Sequence, residues 1–232
     1  GRAVAPVPAV ATLATAYVLA KSAPDAIGFA LPGVVSGDTI LTTGFGDIHE
    51  ITARENGDSW VIDGEKGFIP YGAEADVVVG PAVSDGATIL ALVPKGAAGV
   101  TVTELHTTNH EPQAHLSFAS VELDASQVIA DGGEIYAELV RHHTAALSMV
   151  AAGVVKAALE MTAKYTSERE QFDKKIASFQ AVGQRAADAY IDSELMRLTA
   201  IQAVWRLSEG WPADEEVAIA KYWAGDGGMR VV

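Results

Sequence analysis

A short run in the last third of the chain combines a permanent cation, an amide and an aromatic ring. Arg169, Gln171 and Phe172 lie close together, and a second aromatic and amide pair, Phe179-Gln180, follows them. An arginine guanidinium binds phosphate oxygens through two parallel hydrogen bonds, and an aromatic ring packs against a flat heterocycle. The run therefore predicts a site for a phosphate-linked aromatic cofactor. A solvated polar turn with an ordinary surface ion pair is the alternative interpretation.

Two predicted helices position this run. Apolar residues recur at three-and-four spacing over 135–165 and again over 179–205, which is typical of amphipathic helices. The cation and the first ring fall where the first helix gives way to the second. We expect the candidate site to lie at this junction.

The region before these helices has a different pattern. Short β-like runs between about 37 and 124 are separated by turn dipeptides such as Asn56-Gly57, Asp63-Gly64 and Asp85-Gly86. Several short strands without a long helix between them predict an antiparallel barrel or sandwich. We therefore divide the chain into a helix-prone segment (1–35), a β-domain (36–126) and an incomplete helical domain (127–232).

Composition excludes several classes of function. The 232 residues carry 16 basic and 30 acidic side chains, a net charge of −14, which disfavours nucleic acid and anionic membrane surfaces as partners. The chain has no cysteine, so it has no disulfide framework and no thiolate nucleophile. No sufficiently long uninterrupted apolar run predicts a membrane span, and we expect a cytoplasmic protein. His106 and His110 lie in a β-like region without carboxylate support, so no metal site is predicted.

Three matches in register resemble one family. Arg169-Glu170-Gln171-Phe172, Phe179-Gln180 and the helix 185–191 resemble the C-terminal helical domain of flavin-dependent acyl-CoA dehydrogenases. The resemblance is strongest to actinobacterial members that act on steroid side-chain and other bulky acyl-CoA thioesters. It implies an α+β multidomain fold, in which an antiparallel β-barrel middle domain is followed by an α-helical bundle. It also implies FAD as the cofactor, and the residues that would bind it in this region are Arg169, Gln171, Phe172, Phe179 and Gln180.

The β-domain resembles the same family in two places. The segment 60–73 is similar to a family segment whose aromatic residue lines the flavin, and either Phe68 or Tyr71 stands near that position. The stretch 41–47 is similar to the family's L-T-E-P-G-A-G-S-D loop but lacks its glutamate and proline. The resemblance implies Thr42 and Thr43 as further flavin contacts, with an altered substrate loop.

The catalytic base is not identifiable. One branch of the family carries a glutamate on the helix before the arginine, at a place that corresponds here to Met149, and a thioether cannot accept a proton. The other branch carries its glutamate in a segment beyond the equivalent of Val232.

Two hypotheses follow from this gap. In the first, the chain is the partner without a base in a heterotetramer with a second acyl-CoA dehydrogenase-like subunit. In the second, it is a complete homomeric enzyme whose base lies beyond Val232. Either way the substrate is an acyl-CoA thioester, and an electron-transfer flavoprotein is an acceptor compatible with the family.

Overall fold

The computed structural model describes residues 2–3, 5–46 and 51–232, which form two compact units. The first unit is Pro6–His143, and the second combines the first five residues with Thr144–Val232. The division falls inside one long helix. The domain boundaries given above stay predictions, because compact contact units and domains of a larger protein need not coincide.

The first unit begins with three helices. They are α1 (Ala9–Ser22), α2 (Pro24–Ile27) and α3 (Leu31–Ser36). Proline stands in the first turn of α2 and of α3, where its missing N–H costs no hydrogen bond. Gly37 ends α3 with a φ of 87°, a conformation that glycine adopts without strain. Leu19 of α1 is fully buried in the same apolar cluster as Leu41 of the first strand.

Eight strands form one sheet in this unit. They are β1 (Leu41–Thr43), β2 (Ile51–Asn56), β3 (Ser59–Pro70), β4 (Val77–Ser84), β5 (Ala87–Pro94), β6 (Val100–Leu105), β7 (Gln113–Asp124) and β8 (Val128–Ile129). Seven of them follow the order β6-β7-β3-β2-β4-β5-β8, and β1 pairs with β4. The core on one side contains Ile62, Ile89, Leu116 and Leu123, all nearly inaccessible to solvent.

The sheet is mixed, which corrects the prediction of an antiparallel domain. β1 pairs with the start of β4 in parallel, and Thr52 of β2 pairs with Val83 near its end, also in parallel. The other described pairings are antiparallel. The pairing of β1 with β4 can be parallel because β1 enters from the helical segment, so no hairpin links the two strands. Among the described strands no pairing joins β6 to β8 into a closed barrel.

Two of the three predicted hairpin turns are present. Gly57 and Gly86 occupy the tight turns β2–β3 and β4–β5, with φ of 64° and 81°. The prediction for Asp63-Gly64 is wrong, because both residues lie inside β3. There β7 carries one extra residue, and the Asp63 carboxylate accepts a hydrogen bond from the Ser120 backbone N–H at 2.7 Å. The dipeptide therefore supports a β-bulge in the strand opposite it.

The second unit contains the helical part of the chain. α4 (Gly133–Glu168) runs into it from the first unit, and α5 (Gln180–Ser208) and α6 (Asp214–Val231) pack against each other within it. A two-stranded hairpin, β9 (Glu170–Gln171) and β10 (Lys174–Lys175), separates α4 from α5. The predicted succession of a β-rich region and long helices is confirmed.

α4 bears on the expectation that the chain has no membrane span. Among the described helices it is the one long and apolar enough to cross a membrane by length and composition alone. The earlier criterion missed it because charged residues interrupt its apolar run. A helix of a soluble bundle passes the same test, so this finding by itself decides nothing.

An arginine at the end of α6 fixes that helix to α5. Arg230 donates two hydrogen bonds of 2.8 Å to the carboxylate of Asp192, one from Nε and one from Nη2, and it also pairs with Asp226. Hydrogen bonding from Arg230 lowers the pKa of Asp192 below its ordinary value of 3.8. A carboxylate with a lowered pKa stabilises the fold above its ordinary pKa, and this contribution is lost as pH falls through the lowered value.

We expect Asp192→Asn to lower the free energy of unfolding by about 1 kcal/mol near neutral pH, because Arg230 loses a charged, two-point partner. Urea unfolding between about pH 6 and pH 3 measures the effect, and the gap between variant and parent should close towards the acid end. Asp188→Asn is the matched control, since Asp188 is exposed on the same helix and has no ion pair among the described residues. Equal losses in both variants, independent of pH, would contradict this role.

Candidate cofactor-binding site

The predicted cofactor residues of the helical region lie on a short hairpin, which we call the arm (169–179). β9 and β10 pair antiparallel, with Gln171 opposite Lys174 and Glu170 opposite Lys175. The ladder extends by one more bond, from the Ile176 backbone N–H to the Arg169 carbonyl at 3.0 Å. The motif therefore lies between two helices as predicted, and it has a backbone structure of its own.

The turn at the tip of the arm has an unusual backbone. Its two central residues, Phe172 and Asp173, have φ values of 55° and 60°. Two-residue hairpin turns of type I′ require positive φ at both positions, which is why Asn-Gly and Asp-Gly dominate them. A bulky aromatic residue is rare in this conformation, and such strain is concentrated at functional sites. The side chain of Phe172 is 87% exposed.

The two phenylalanines of the motif are brought together by this geometry. The rings of Phe172 and Phe179 meet edge to face, with 6.3 Å between their centroids and an interplanar angle of 86°. Gln171 donates a hydrogen bond from Nε2 to the Glu170 carbonyl at 2.8 Å. Gln180 is exposed at the first position of α5. All five predicted residues of this region thus lie on or next to one exposed arm.

The charge on the arm is open to a ligand. Arg169 is exposed and makes no side-chain hydrogen bond or ion pair with any described residue. Glu170 forms an ion pair with Lys175 at 2.8 Å. A guanidinium without a carboxylate partner, on the same arm as two aromatic rings, suits a phosphate group linked to a flat heterocycle. The residues present therefore fit the predicted cofactor.

The two threonines predicted as flavin contacts lie in the other compact unit, on β1. Thr42 donates a hydrogen bond to the Pro70 carbonyl at 2.5 Å, and Thr43 shares one with Thr15 of α1 at 2.8 Å. Both side chains are essentially inaccessible to solvent. Their hydroxyl groups are thus satisfied inside the protein, and a direct contact with flavin stays a prediction. The end of the 41–47 loop, Asp47, lies outside the described residues.

Phe68 occupies a β-bulge of β3. Lys66 pairs with Leu116 and Ile69 with Ala114, so Gly67 and Phe68 together face a single residue of β7. Phe68 has a φ of 55° and is 73% exposed. Bulges re-aim side chains beside binding sites. This exposure suits a ring that lines a ligand, but the contact with flavin stays a prediction.

The sequence did not reveal a buried histidine that contacts Thr15, the hydrogen-bond partner of Thr43. His143 is buried and donates from Nδ1 to the Leu139 carbonyl at 2.8 Å, while its Nε2 lies 3.3 Å from the Thr15 hydroxyl. Burial lowers the pKa of His143 below 6.5, which favours the neutral ring. The sequence signal available for this contact was Thr15, a polar residue on a largely apolar helix. A threonine in a sequence does not reveal which distant side chain it contacts.

The side chain of Met149 lies on α4 and is 37% exposed. Other acidic groups of this helix are already paired: Glu160 with Arg2 at 2.6 Å, and Glu138 with Arg141 at 3.0 Å. The position that resembles the family's base therefore has neither a carboxylate nor a buried setting.

Comparison with known proteins agrees with this geometry. Residues 131–232 match the model of the acyl-CoA dehydrogenase C-terminal domain. The chain is 39% identical over 208 residues to the acyl-CoA dehydrogenase FadE27 of Mycobacterium tuberculosis, a match that covers 85% of this chain and 56% of that protein. Residues 131–232 are an acyl-CoA dehydrogenase C-terminal domain. The chain as a whole spans a little over half the length of FadE27.

Two solved structures align with nearly the whole of this chain. The ChsE4-ChsE5 complex from M. tuberculosis aligns with a TM-score of 0.90 at 37% identity, over 98% of this chain and 63% of the other. A steroid acyl-CoA dehydrogenase variant, Tcur3481-Tcur3483, aligns with a TM-score of 0.88 at 32% identity, over 99% and 64%. The predicted resemblance to actinobacterial acyl-CoA dehydrogenases of the steroid type is confirmed.

The strained turn of the arm gives a local test. We expect Asp173→Gly to slow amide hydrogen exchange at Ile176 by about fivefold, because glycine removes roughly 1 kcal/mol of strain at positive φ. Asp173→Ala should speed exchange at the same amide, since alanine has neither the freedom of glycine nor the local hydrogen bonds of aspartate. Unchanged exchange in both variants would show that the turn does not limit the stability of the arm.

Proposed function

We propose that this chain is a subunit of an FAD-dependent acyl-CoA dehydrogenase that forms a double bond between Cα and Cβ of an acyl-CoA thioester. The reaction removes a proton from Cα and a hydride from Cβ, and FAD supplies the hydride acceptor. The observation that carries the proposal is the arm, which holds an unpaired Arg169 together with the rings of Phe172 and Phe179 and lies in the domain that matches this family.

The cofactor is supported by the family and by the chemistry of the arm. A glutaryl-CoA dehydrogenase from Mycobacterium smegmatis, which shares this fold at 24% identity, was solved in complex with FADH2. In this chain Arg169 would bind the diphosphate, Gln171 and Gln180 would donate amide hydrogen bonds, and the phenylalanine rings would pack against a flat part of the cofactor.

We infer further that the chain works with a second acyl-CoA dehydrogenase-like subunit, as a partner without a catalytic base of its own. Two of its relatives, ChsE4-ChsE5 and Tcur3481-Tcur3483, are pairs of differently named chains. A ring 87% exposed at the tip of the arm needs a partner or a ligand to cover it. Met149 supplies no proton acceptor where the resemblance places one.

Exposed apolar side chains on the three long helices support an oligomer. Large exposed apolar patches on soluble domains mark interaction sites. Within the second unit, the side chains on these helices that are at least 40% exposed are Leu147, Met161 and Tyr165 on α4, Tyr190, Ile191, Leu198, Ile201, Val204 and Trp205 on α5, and Ile219, Tyr222 and Met229 on α6. The relatives that are complexes favour a heterotetramer.

A complete homomeric enzyme is the second candidate. It is favoured by one observation: the chain spans 56% of FadE27, so a base can lie in a part of the protein that this sequence does not include. Under either candidate we propose a cytoplasmic enzyme of steroid catabolism that acts on bulky acyl-CoA thioesters. An electron-transfer flavoprotein is the proposed acceptor.

Arg169→Ala tests the cofactor assignment. We expect the variant assembly to bind FAD roughly tenfold to hundredfold more weakly, because it loses a charge-assisted phosphate contact of about 1.5–3 kcal/mol. Flavin absorbance after gel filtration measures occupancy. Arg197→Ala is the control, since Arg197 is already paired with Glu194 at 2.8 Å. Full flavin occupancy in the Arg169 variant would contradict the assignment.

The division of labour has its own test. The protein purified without a second subunit should not reduce a dye with any acyl-CoA, because the proposed partner supplies the base. Co-expression with that partner should give turnover and about one flavin per pair of unlike chains, if the arm is shared as proposed. Robust turnover by the homomeric protein would instead establish the second candidate.

A further inference from the structure

The two lysines of the arm differ in their surroundings. In an antiparallel pair, residues directly opposite each other lie on the same face, and neighbours along a strand alternate. Gln171 and Lys174 lie opposite each other, so their side chains are on one face of the hairpin. Arg169 lies on the same face, because it is two residues before Gln171 and its carbonyl accepts a hydrogen bond from the Ile176 backbone N–H. Glu170 and Lys175 occupy the other face, where their side chains form an ion pair at 2.8 Å.

Lys174 is held without a neutralising acid. Its Nζ lies 4.3 Å from the centroid of the Phe179 ring, a cation–π contact. No carboxylate among the described residues lies within ion-pair distance of it. Lys175, by contrast, is neutralised by Glu170, and its Nζ also donates to the Glu168 carbonyl at 3.1 Å. The arm thus has one neutral face and one face with two uncompensated cations, Arg169 and Lys174.

This asymmetry matters because the chain as a whole is acidic. A net charge of −14 repels an anion as it approaches, so a diphosphate must be attracted by local cations within about one Debye length. One arginine offsets only part of the charge of a diphosphate. A second cation on the same face offsets more of the negative charge of the diphosphate. Because the Lys174 side chain is already held against the Phe179 ring, it loses less conformational entropy when it binds a ligand.

We propose that Lys174 is a second phosphate-binding residue of the arm, which with Arg169 forms a two-cation site for the diphosphate of the cofactor. The proposal rests on the proposed function, because it assumes that the arm binds FAD. The Phe179 ring holds the Lys174 ammonium on the ligand-binding face. Lys175 has a structural role and takes no part in binding.

The adjacent lysines give a matched experiment. The apo form of the assembled protein is titrated with FAD, and binding is followed by quenching of flavin fluorescence, at low and at high salt. Lys174→Gln should raise the Kd about tenfold at low salt, and less at high salt because screening weakens the lost attraction. Lys175→Gln changes the formal charge equally and should change the Kd by less than about twofold. Lys174→Arg should restore affinity, because arginine also binds phosphate.

The outcomes separate this inference from the proposed function. If Arg169→Ala weakens FAD binding and Lys174→Gln does not, the arm binds FAD and the role of Lys174 is refuted. If both lysine variants weaken binding equally, the effect is one of net charge, which also refutes it. If neither Arg169→Ala nor Lys174→Gln has an effect, the cofactor assignment itself fails. Amide exchange at Ile176 must match the parent in Lys174→Gln, so that loss of the hairpin cannot imitate loss of a contact.

Discussion

The candidate site depends on a reversal of the chain within two residues. The ladder between β9 and β10 holds Phe172 and Asp173 in left-handed conformations that neither residue prefers. That turn sets the register, and the register decides which side chains share a face. If the same segment formed an unpaired loop, Arg169 and Gln171 would still lie near each other, but the directions of their side chains would not be fixed. The chemistry of the arm therefore follows from backbone geometry as much as from residue type.

The place of the cofactor motif between two helices and the resemblance to the family could be predicted from the sequence because their indications are local. Arg169, Gln171 and Phe172 are adjacent, and the helices on either side are long enough for their periodicity to be unambiguous. The hairpin turns at Gly57 and Gly86 were predictable for the same reason. Each of these features is encoded within a few neighbouring residues.

What the sequence did not predict depends on residues far apart in the chain. The parallel pairing of β1 with β4 joins strands that no hairpin connects. Asp63-Gly64 has the composition of a turn, but its neighbours in β7 hold it within a strand. The contact of Thr15 with Thr43 and His143 brings together two helices and a strand. Nor did the sequence distinguish Lys174 from Lys175, because pairing decides that difference.

The bulge in β3 makes the direction of the Phe68 side chain independent of the packing of the residues on either side of it. In a regular strand, residues three apart face opposite sides of the sheet, but the extra residue between Lys66 and Ile69 lets both of them point inwards. With one residue fewer, the flanking pairs would keep their partners, and Phe68 would still lie on the outer side. What would change is its tilt. An insertion or deletion at this bulge can therefore change the orientation of the Phe68 ring on the outer face of the sheet, while the packing of the core on the inner face is kept.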